Sequence, residues 1–326
     1  MTGKAKPTVL VTRRLTDGVA AALRERFDVL LPADDVPPTA EALQRALGLC
    51  DGMLSTVTDR LTADVLAAYP LRTRIIANFG VGTDNIDLMA ARAHNIVVTN
   101  TPDVLTQCTA DLAMTLMLMT MRRTGEGERE VRAGRWTGWR PDHMMGTMVS
   151  GKTLGLVGMG RIARAVAQRA YYGFGMNVLC YAPTLRSVEE LSRYGVTARG
   201  TLDDVLAESD VVSIHCPSTP ATRGLINAER LARMRPGAFL VNTARGDIVV
   251  DGALIAALRS GHLAGAGLDV FRGEPNVDPR YLALDNVVLL PHLGSATRET
   301  RDAMGFRALE NLTAFFSGQP VRDRVA

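Results

Sequence analysis

Residues Thr153–Ala170 read TLGLVGMGRIARAVAQRA. An apolar strand runs into Gly158-Met159-Gly160-Arg161-Ile162-Ala163, and a helix-like segment follows. This has the G-x-G-x-x-G/A form. Gly158 permits a tight turn, Gly160 has no side chain to block a pyrophosphate, and Ala163 is small enough for close helix–strand packing. The helix start offers free N–H groups and a positive dipole end to phosphate. A strand before and a helix after distinguish a dinucleotide-binding turn from a merely glycine-rich one. Residues Gly158, Gly160, Arg161 and Ile162 are therefore cofactor-binding candidates.

The next strand bears on which dinucleotide. An Asp or Glu about 20 residues on holds the ribose 2′-OH of NAD. Here the chain reads NVLCYAPTLRS (177–187), with no acid before Glu189. Ala182 stands where the acid belongs, and Thr184 and Arg186 follow. An acid repels a 2′-phosphate, whereas a hydroxyl and a guanidinium bind it. NADP(H) is preferred on this reading and NAD(H) possible. The alternative is that Arg186 merely opens the next helix in solvent.

Short β-branched runs alternate with helical segments along the whole chain. Strands are predicted at 8–12, 74–78, 96–100, 153–158, 177–181, 211–216, 238–242, 265–270 and 286–292. Several are apolar on successive residues, as in strands covered on both faces. The rhythm predicts an α/β fold with parallel sheets. A boundary falls near Asn100-Thr101-Pro102. A long Met-rich helix is predicted over 105–122, packed in the core or on a second subunit. Residues 125–150 read as an irregular arm. A second α/β unit starts at Lys152, and a last helix over about 297–316 could return to the first domain.

The 326 residues suggest about two domains. Apolar residues make up 47% and charged residues 22%, a globular balance. A formal charge of +3 is too small to imply a nucleic-acid surface. Cys50, Cys108, Cys180 and Cys216 lack CxxC or metal-ligand spacing, so no metal is expected. No apolar run reaches membrane-spanning length, and the N-terminus does not read as a signal peptide. A cytoplasmic protein with free thiols is the expectation.

Three more segments lie at strand ends, where open α/β sheets bind ligands. They are VNTARGDIV (241–249), GLDVFRGEP (267–275) and LLPHLGSAT (289–297), and they supply Arg245, Asp269, Glu274 and His292. A guanidinium takes a carboxylate bidentately. A histidine exchanges a proton near neutrality, and a carboxylate beside one favours the imidazolium. These are the parts that hydride transfer to a ketone requires.

Over nearly its whole length the chain resembles the D-isomer-specific 2-hydroxyacid dehydrogenase family. The matching motifs are NFGVGTDNIDLMAARAHNIVVTNTPDVLT (78–106), GLVGMGRIARAVAQRA (155–170), HCPSTPATRGLI (215–226), VNTARGDIVV (241–250), GLDVFRGEP (267–275) and PHLGSAT (291–297). The resemblance implies two Rossmann-like domains with the active site in the interdomain cleft. Residues 1–101 and 296–326 would form a discontinuous substrate domain, and 102–295 the dinucleotide-binding domain.

It also implies roles. Arg245 would bind the substrate carboxylate, His292 would be the acid/base, and Glu274 would hold and charge it. Asp269 would take the nicotinamide amide. The backbone of Val81 and Gly82 would complete the carboxylate pocket, with Val57 and Trp139 in its wall. Thr109, Arg161, Ile162, Cys216, Thr222, Thr243, Ala244 and Gly294 would line the cofactor. Members are usually dimers through the cofactor domain.

VLTQCTADLAM (104–114) and RWTGWRP (135–141) are most similar to the glyoxylate/hydroxypyruvate reductase branch, in which a tryptophan at the position of Trp139 reaches the partner's active site. A core pocket for Trp139 is the rival reading. Two departures stand out. Ala182-Pro183-Thr184 replaces an Asn-Arg-Ser/Thr type sequence, and His94-Asn95 stands where glycine is frequent; Asn tolerates the left-handed conformation. The expected substrate is a small 2-keto acid reduced to the D-2-hydroxy acid, with no nucleic acid or membrane partner. Rival readings are another 2-hydroxy acid, a cofactor-sensing corepressor-type protein, and formate dehydrogenase, which the resemblance disfavours because such relatives carry Gln at the position of Glu274. His215 is read as structural, while His94, His143 and His262 show no partners in the sequence and His262 reads as surface.

Overall fold

Two sheets, each with every strand in parallel register, carry the computed structural model of the chain, which describes residues 5–67, 70–184 and 187–326. The chain divides into Met1–Leu105 with Ala296–Ala326, and Thr106–Ser295. In the first unit β1 (Thr8–Val11), β2 (Asp28–Leu30), β3 (Gly52–Thr56), β4 (Ile75–Phe79) and β5 (Val97–Thr99) lie in the order β2-β1-β3-β4-β5. The helix Arg298–Phe316 packs on β4 and on the helix Asp17–Arg26 of this unit.

The second unit holds β6 (Thr153–Val157), β7 (Asn177–Tyr181), β8 (Val196–Ala198), β9 (Val211–Ile214), β10 (Ala238–Asn242), β11 (Leu263–Leu268) and β12 (Val287–Leu289). Their order is β12-β11-β10-β9-β6-β7-β8. β4 and β10 are buried at all five positions and β9 at all four, which is why they read as unbroken apolar runs.

Helices cover both faces of this sheet. One core gathers Leu116, Met117, Met121, Leu154, Leu156 and Val166. The other gathers Ile214, Leu240, Ile248, Leu254 and Leu263. Each such side chain contributes about 1.5–3 kcal/mol on burial. Met114, Met117 and Met121 of the helix Thr106–Met121 are buried and belong to the core, while Met119 is half-buried.

All nine expected strands occur, some with shifted ends, and the structure adds three. β2 and β8 are three-residue strands at the sheet edges. β3 is GMLST, buried but with only threonine β-branched, so composition conceals it. The expected arm is also corrected: Thr124–Arg132 is helical despite Gly125 and Gly127. Arg123–Glu126 and Glu128–Arg132 ion pairs at helical spacing support it. His143 has a partner after all, with Nε2 3.0 Å from Glu130. His262 is half-buried and its Nε2 lies 3.0 Å from the Leu231 carbonyl.

Candidate active site

The sheet of the second unit ends along a single row. Pairing sets Tyr181 opposite Val157, Val157 opposite Ile214, Ile214 opposite Asn242, Asn242 opposite Leu268, and Leu268 opposite Leu289. The residues one step beyond are Ala182, Gly158, His215, Thr243, Asp269 and Leu290. Candidates from distant parts of the chain therefore emerge at one edge. Strand order reverses between β6 and β9, the switch point where such sheets bind ligands.

The two glycines of the turn are required for different reasons. Gly158 has φ +96°, and a Cβ there would lie 2.9 Å from the Cys216 nitrogen. The fold itself demands glycine. Gly160 has φ −74° and ψ −170°, and a Cβ there would meet no atom within 4 Å. Nothing in the protein asks for glycine at 160, so the requirement fits a pyrophosphate resting on it. It precedes the helix Arg161–Gln168, in which Ala163 is fully buried. Arg161 is exposed and Ile162 half-buried at its start. The residues present fit a dinucleotide.

Ala182 follows β7 directly, and the Tyr181 carbonyl accepts the Gly158 N–H at 2.8 Å. Thr184 is exposed. Arg186 lies outside the described residues. After β9, the half-buried Cys216 thiol is pushed up to about 11 by burial, so it stays a neutral wall. The His215 ring is pushed down to about 4 by burial and its Nε2 lies 2.8 Å from Ser213 Oγ, a neutral structural histidine. Thr222 Oγ1 donates to the Pro217 carbonyl at 2.6 Å and receives the Thr219 N–H at 2.8 Å, which closes the loop after Cys216.

The fully buried Asn242 organises the Arg245 turn. Its amide donates to the Arg245 carbonyl at 2.9 Å and its oxygen accepts the Ala244 N–H at 3.0 Å. Thr243 has a buried hydroxyl with no protein partner. A Cβ at Gly246 would overlap the Phe271 and Arg272 backbone, so this turn abuts the one after β11. Sequence reasoning missed Asn242 and Gly246; the signal available was an amide side chain closing an otherwise apolar run.

His292 and Glu274 are joined directly, Nδ1 to Oε2 at 2.8 Å. Glu274 Oε1 also accepts the Phe271 N–H at 2.9 Å. Burial acts to raise the Glu274 carboxyl, but the His292 hydrogen bond and charge, the Phe271 N–H and the Arg245 charge outweigh it and hold it below the usual range. Arg245 thus belongs electrostatically to the same cluster. His292 Nε2 has no hydrogen-bond partner among the described residues.

The histidine backbone is left-handed, with φ +54°. Asp269 holds it there. The Asp269 carbonyl accepts the His292 N–H at 2.9 Å, and its carboxylate accepts Leu293 N–H at 2.6 Å and Gly294 N–H at 2.8 Å. Asp269 is fully buried, and burial raises its carboxyl against the pull of those N–H groups and of the His292 charge. Thr109 Oγ1 completes the turn by donating to the Gly294 carbonyl at 2.9 Å.

The remaining candidates are elsewhere. Val57 follows β3, and Val81 and Gly82 follow β4, in the first unit. Trp139 is 82% exposed, which overturns the core-pocket reading. Asn95 has φ +57°, the left-handed conformation its departure from glycine requires. No group of three or more His, Cys, Asp or Glu among the described residues is placed to hold a metal, and no described helix is long and apolar enough to cross a membrane.

A nucleotide-binding sheet bearing a His–Glu pair and an arginine defines a dehydrogenase-type site. Residues 114–294 match the model of the D-isomer specific 2-hydroxyacid dehydrogenase, NAD binding domain. The chain is 45% identical over 316 residues to a glyoxylate reductase of Korarchaeum cryptofilum, covering 96% of this chain and 94% of that one. It is 37% identical over 314 residues to a glycerate dehydrogenase of Hyphomicrobium methylovorum, covering 96% and 97%. The crystal structure of an NADPH-dependent glyoxylate/hydroxypyruvate reductase from Sinorhizobium meliloti, in complex with NADP and malonate, superposes with a TM-score of 0.88 at 36% identity, covering 99% and 97%. The chain belongs to the D-isomer specific 2-hydroxyacid dehydrogenase family.

Proposed function

We propose that this chain reduces a small 2-keto acid, glyoxylate or hydroxypyruvate, to the D-2-hydroxy acid with NADPH. The observation that carries it is the 2.8 Å His292–Glu274 pair, within the influence of Arg245, on the sheet edge that bears the Gly158–Gly160 turn. The bound reduced nicotinamide supplies the hydride. Arg245 holds the substrate carboxylate by a bidentate contact and orients the keto group. His292 delivers its proton from Nε2 to the keto oxygen, while Glu274 at Nδ1 fixes the ring and stabilises its charge. Asp269 positions the His292 turn through its buried carboxylate, whose two oxygens are taken by the Leu293 and Gly294 N–H groups, so the expected contact with the nicotinamide amide is not assigned to it. Val57, Val81 and Gly82 serve the substrate, while Gly158, Gly160, Arg161, Ile162, Thr109, Cys216, Thr222, Thr243, Ala244 and Gly294 serve the cofactor.

The preference for NADPH rests on Ala182 replacing an acid, with Thr184 and Arg186 beyond it. We also assign a homodimer through the cofactor domain, to which the exposed Trp139 would contribute. The corepressor-type alternative is not favoured, since the relatives described above are named as reductases and a dehydrogenase. A steady-state panel of glyoxylate, hydroxypyruvate, pyruvate and larger keto acids with NADPH and NADH tests the reading. Absence of turnover with all of them rejects it. An Arg186→Ala variant with unchanged NADPH preference rejects the 2′-phosphate assignment alone.

A further inference from the structure

The turn after β4 has an unequal pattern of hydrogen bonds. Its three carbonyls are all tied back into the first unit. Gly80 O accepts the Thr101 N–H at 3.0 Å and Asn78 Nδ2 at 3.5 Å, Val81 O accepts Asn100 Nδ2 at 2.9 Å, and Gly82 O accepts Asn78 Nδ2 at 2.8 Å. The N–H groups of Val81 and Gly82 donate to no acceptor among the described residues. A trans peptide is planar, with N–H and C=O pointing opposite ways. Anchoring the Gly80 and Val81 carbonyls therefore aims the Val81 and Gly82 N–H groups away from the anchors.

The anchors are themselves fixed. Asn78 is fully buried and its oxygen faces Ser55 Oγ and Asn85 Nδ2, each at 3.3 Å. Asn85 Nδ2 also donates to the Thr56 carbonyl at 3.0 Å and the Asp59 carbonyl at 3.1 Å. One buried amide pair thus ties the turn at 80–82 to the turn at 56–59, which contains Val57. A connected network of buried hydrogen bonds restricts the geometry of both turns, although Asn85 Oδ1 itself has no partner among the described residues.

We propose that Asn78 and Asn100 are positioning residues that aim the Val81 and Gly82 N–H donors at the carboxylate of the substrate. This rests on the reading of those two N–H groups as carboxylate ligands. Neither asparagine touches the substrate in this account. They set the angle at which the two donors present themselves, and so act on substrate affinity while leaving cofactor affinity alone.

The test compares full-length wild type with Asn100→Ala and Asn78→Ser. Asn100 is only half-buried, so its variant keeps the test decisive if Asn78→Ser does not fold. The readouts are KM and kcat for glyoxylate, the inhibition constant of oxalate, NADPH affinity by fluorescence titration, and thermal stability. The expected result is a rise of about tenfold in KM and in the oxalate constant, the loss from one mis-aimed hydrogen bond, with NADPH affinity unchanged. An unchanged KM and oxalate constant in folded Asn100→Ala overturns the proposal. So does a parallel worsening of KM, NADPH affinity and stability, which marks a general structural defect. If wild type turns over no keto acid, the functional reading falls separately, and calorimetric titration of oxalate onto wild type and Asn100→Ala still decides the positioning role.

Discussion

Replacing Asp269 with asparagine tests whether a strained turn delivers His292, the proposed proton donor. The left-handed backbone of His292 costs about 1–2 kcal/mol for a residue with a Cβ. The Asp269 carboxylate offsets this through bonds of 2.6 and 2.8 Å to the Leu293 and Gly294 N–H groups. Hydrogen bonds to a charged partner contribute about 1.5–3 kcal/mol each. An asparagine keeps one acceptor, worth about 1 kcal/mol, and turns N–H against N–H at the other. It also removes a buried charge, whose cost is visible in the raised Asp269 carboxyl. The net loss is about 1–3 kcal/mol, comparable to or larger than the strain. The working conformer of His292 then falls by about 5–150-fold in population, at 1.36 kcal/mol per decade. We expect kcat/KM for the keto acid to fall by that factor in Asp269→Asn, with a smaller change in NADPH affinity. In a His292→Gln background the same substitution adds little, because both act through one proton transfer. Retention of kcat/KM within about twofold, well under one decade, refutes the reasoning. So do effects that multiply in the double variant, or a loss confined to NADPH affinity.

Three further outcomes follow from the geometry. His292→Gln is expected to lower turnover by about 10²–10⁴-fold with NADPH affinity nearly intact, and turnover near wild type contradicts its role as proton donor. Gly160→Ala should melt like wild type yet bind NADPH poorly, whereas Gly158→Ala should lose stability because of its φ of +96° and the Cys216 contact; thermal melts and NADPH titrations on the pair read both, and equal stability of the two variants contradicts the division. Glu274 has a lowered carboxyl, so its stabilising contribution is present above its ordinary value near 4.5 and is lost as pH falls through its lower folded value. Glu274→Gln should therefore flatten that acid limb of the stability profile; a variant losing stability with pH as steeply as wild type contradicts it.

The strands that cross the cores were readable because helices cover both faces of the sheets and leave few polar positions. β3 was not, since GMLST packs as a strand without the side chains that advertise one. Gly125 and Gly127 hid a helix whose support is ionic pairing at helical spacing. Residue types at the site, such as Arg245, Glu274 and His292, were visible because they sit in motifs at strand ends. The contacts that set their geometry were visible only in part. The Glu274–His292 pair, 18 positions apart, was implied by the family resemblance, but the meeting of Thr109 with the Gly294 carbonyl across 185 positions and of Asn100 with the Val81 carbonyl across 19 was not. Such bonds join side chains to backbone atoms brought close by the sheet, and no local pattern encodes them. Arg186, on which the cofactor preference leans, lies outside the described residues.

The aligned strand ends make the sheet a ruler. Side chains on a strand alternate faces with a period of two, so one residue inserted or removed within β11 would turn the side chain at the Asp269 position to the opposite face. The same holds for the step that carries Gly158 after β6 and Thr243 after β10. Strand length is therefore under a stricter constraint than strand composition. An isoleucine for a valine in β9 alters packing by about 1–3 kcal/mol, whereas a one-residue slip dismantles the chemistry outright. Variation in what the enzyme accepts is thereby channelled into the loops beyond the ruler's edge, where added residues leave the spacing of the reactive groups intact.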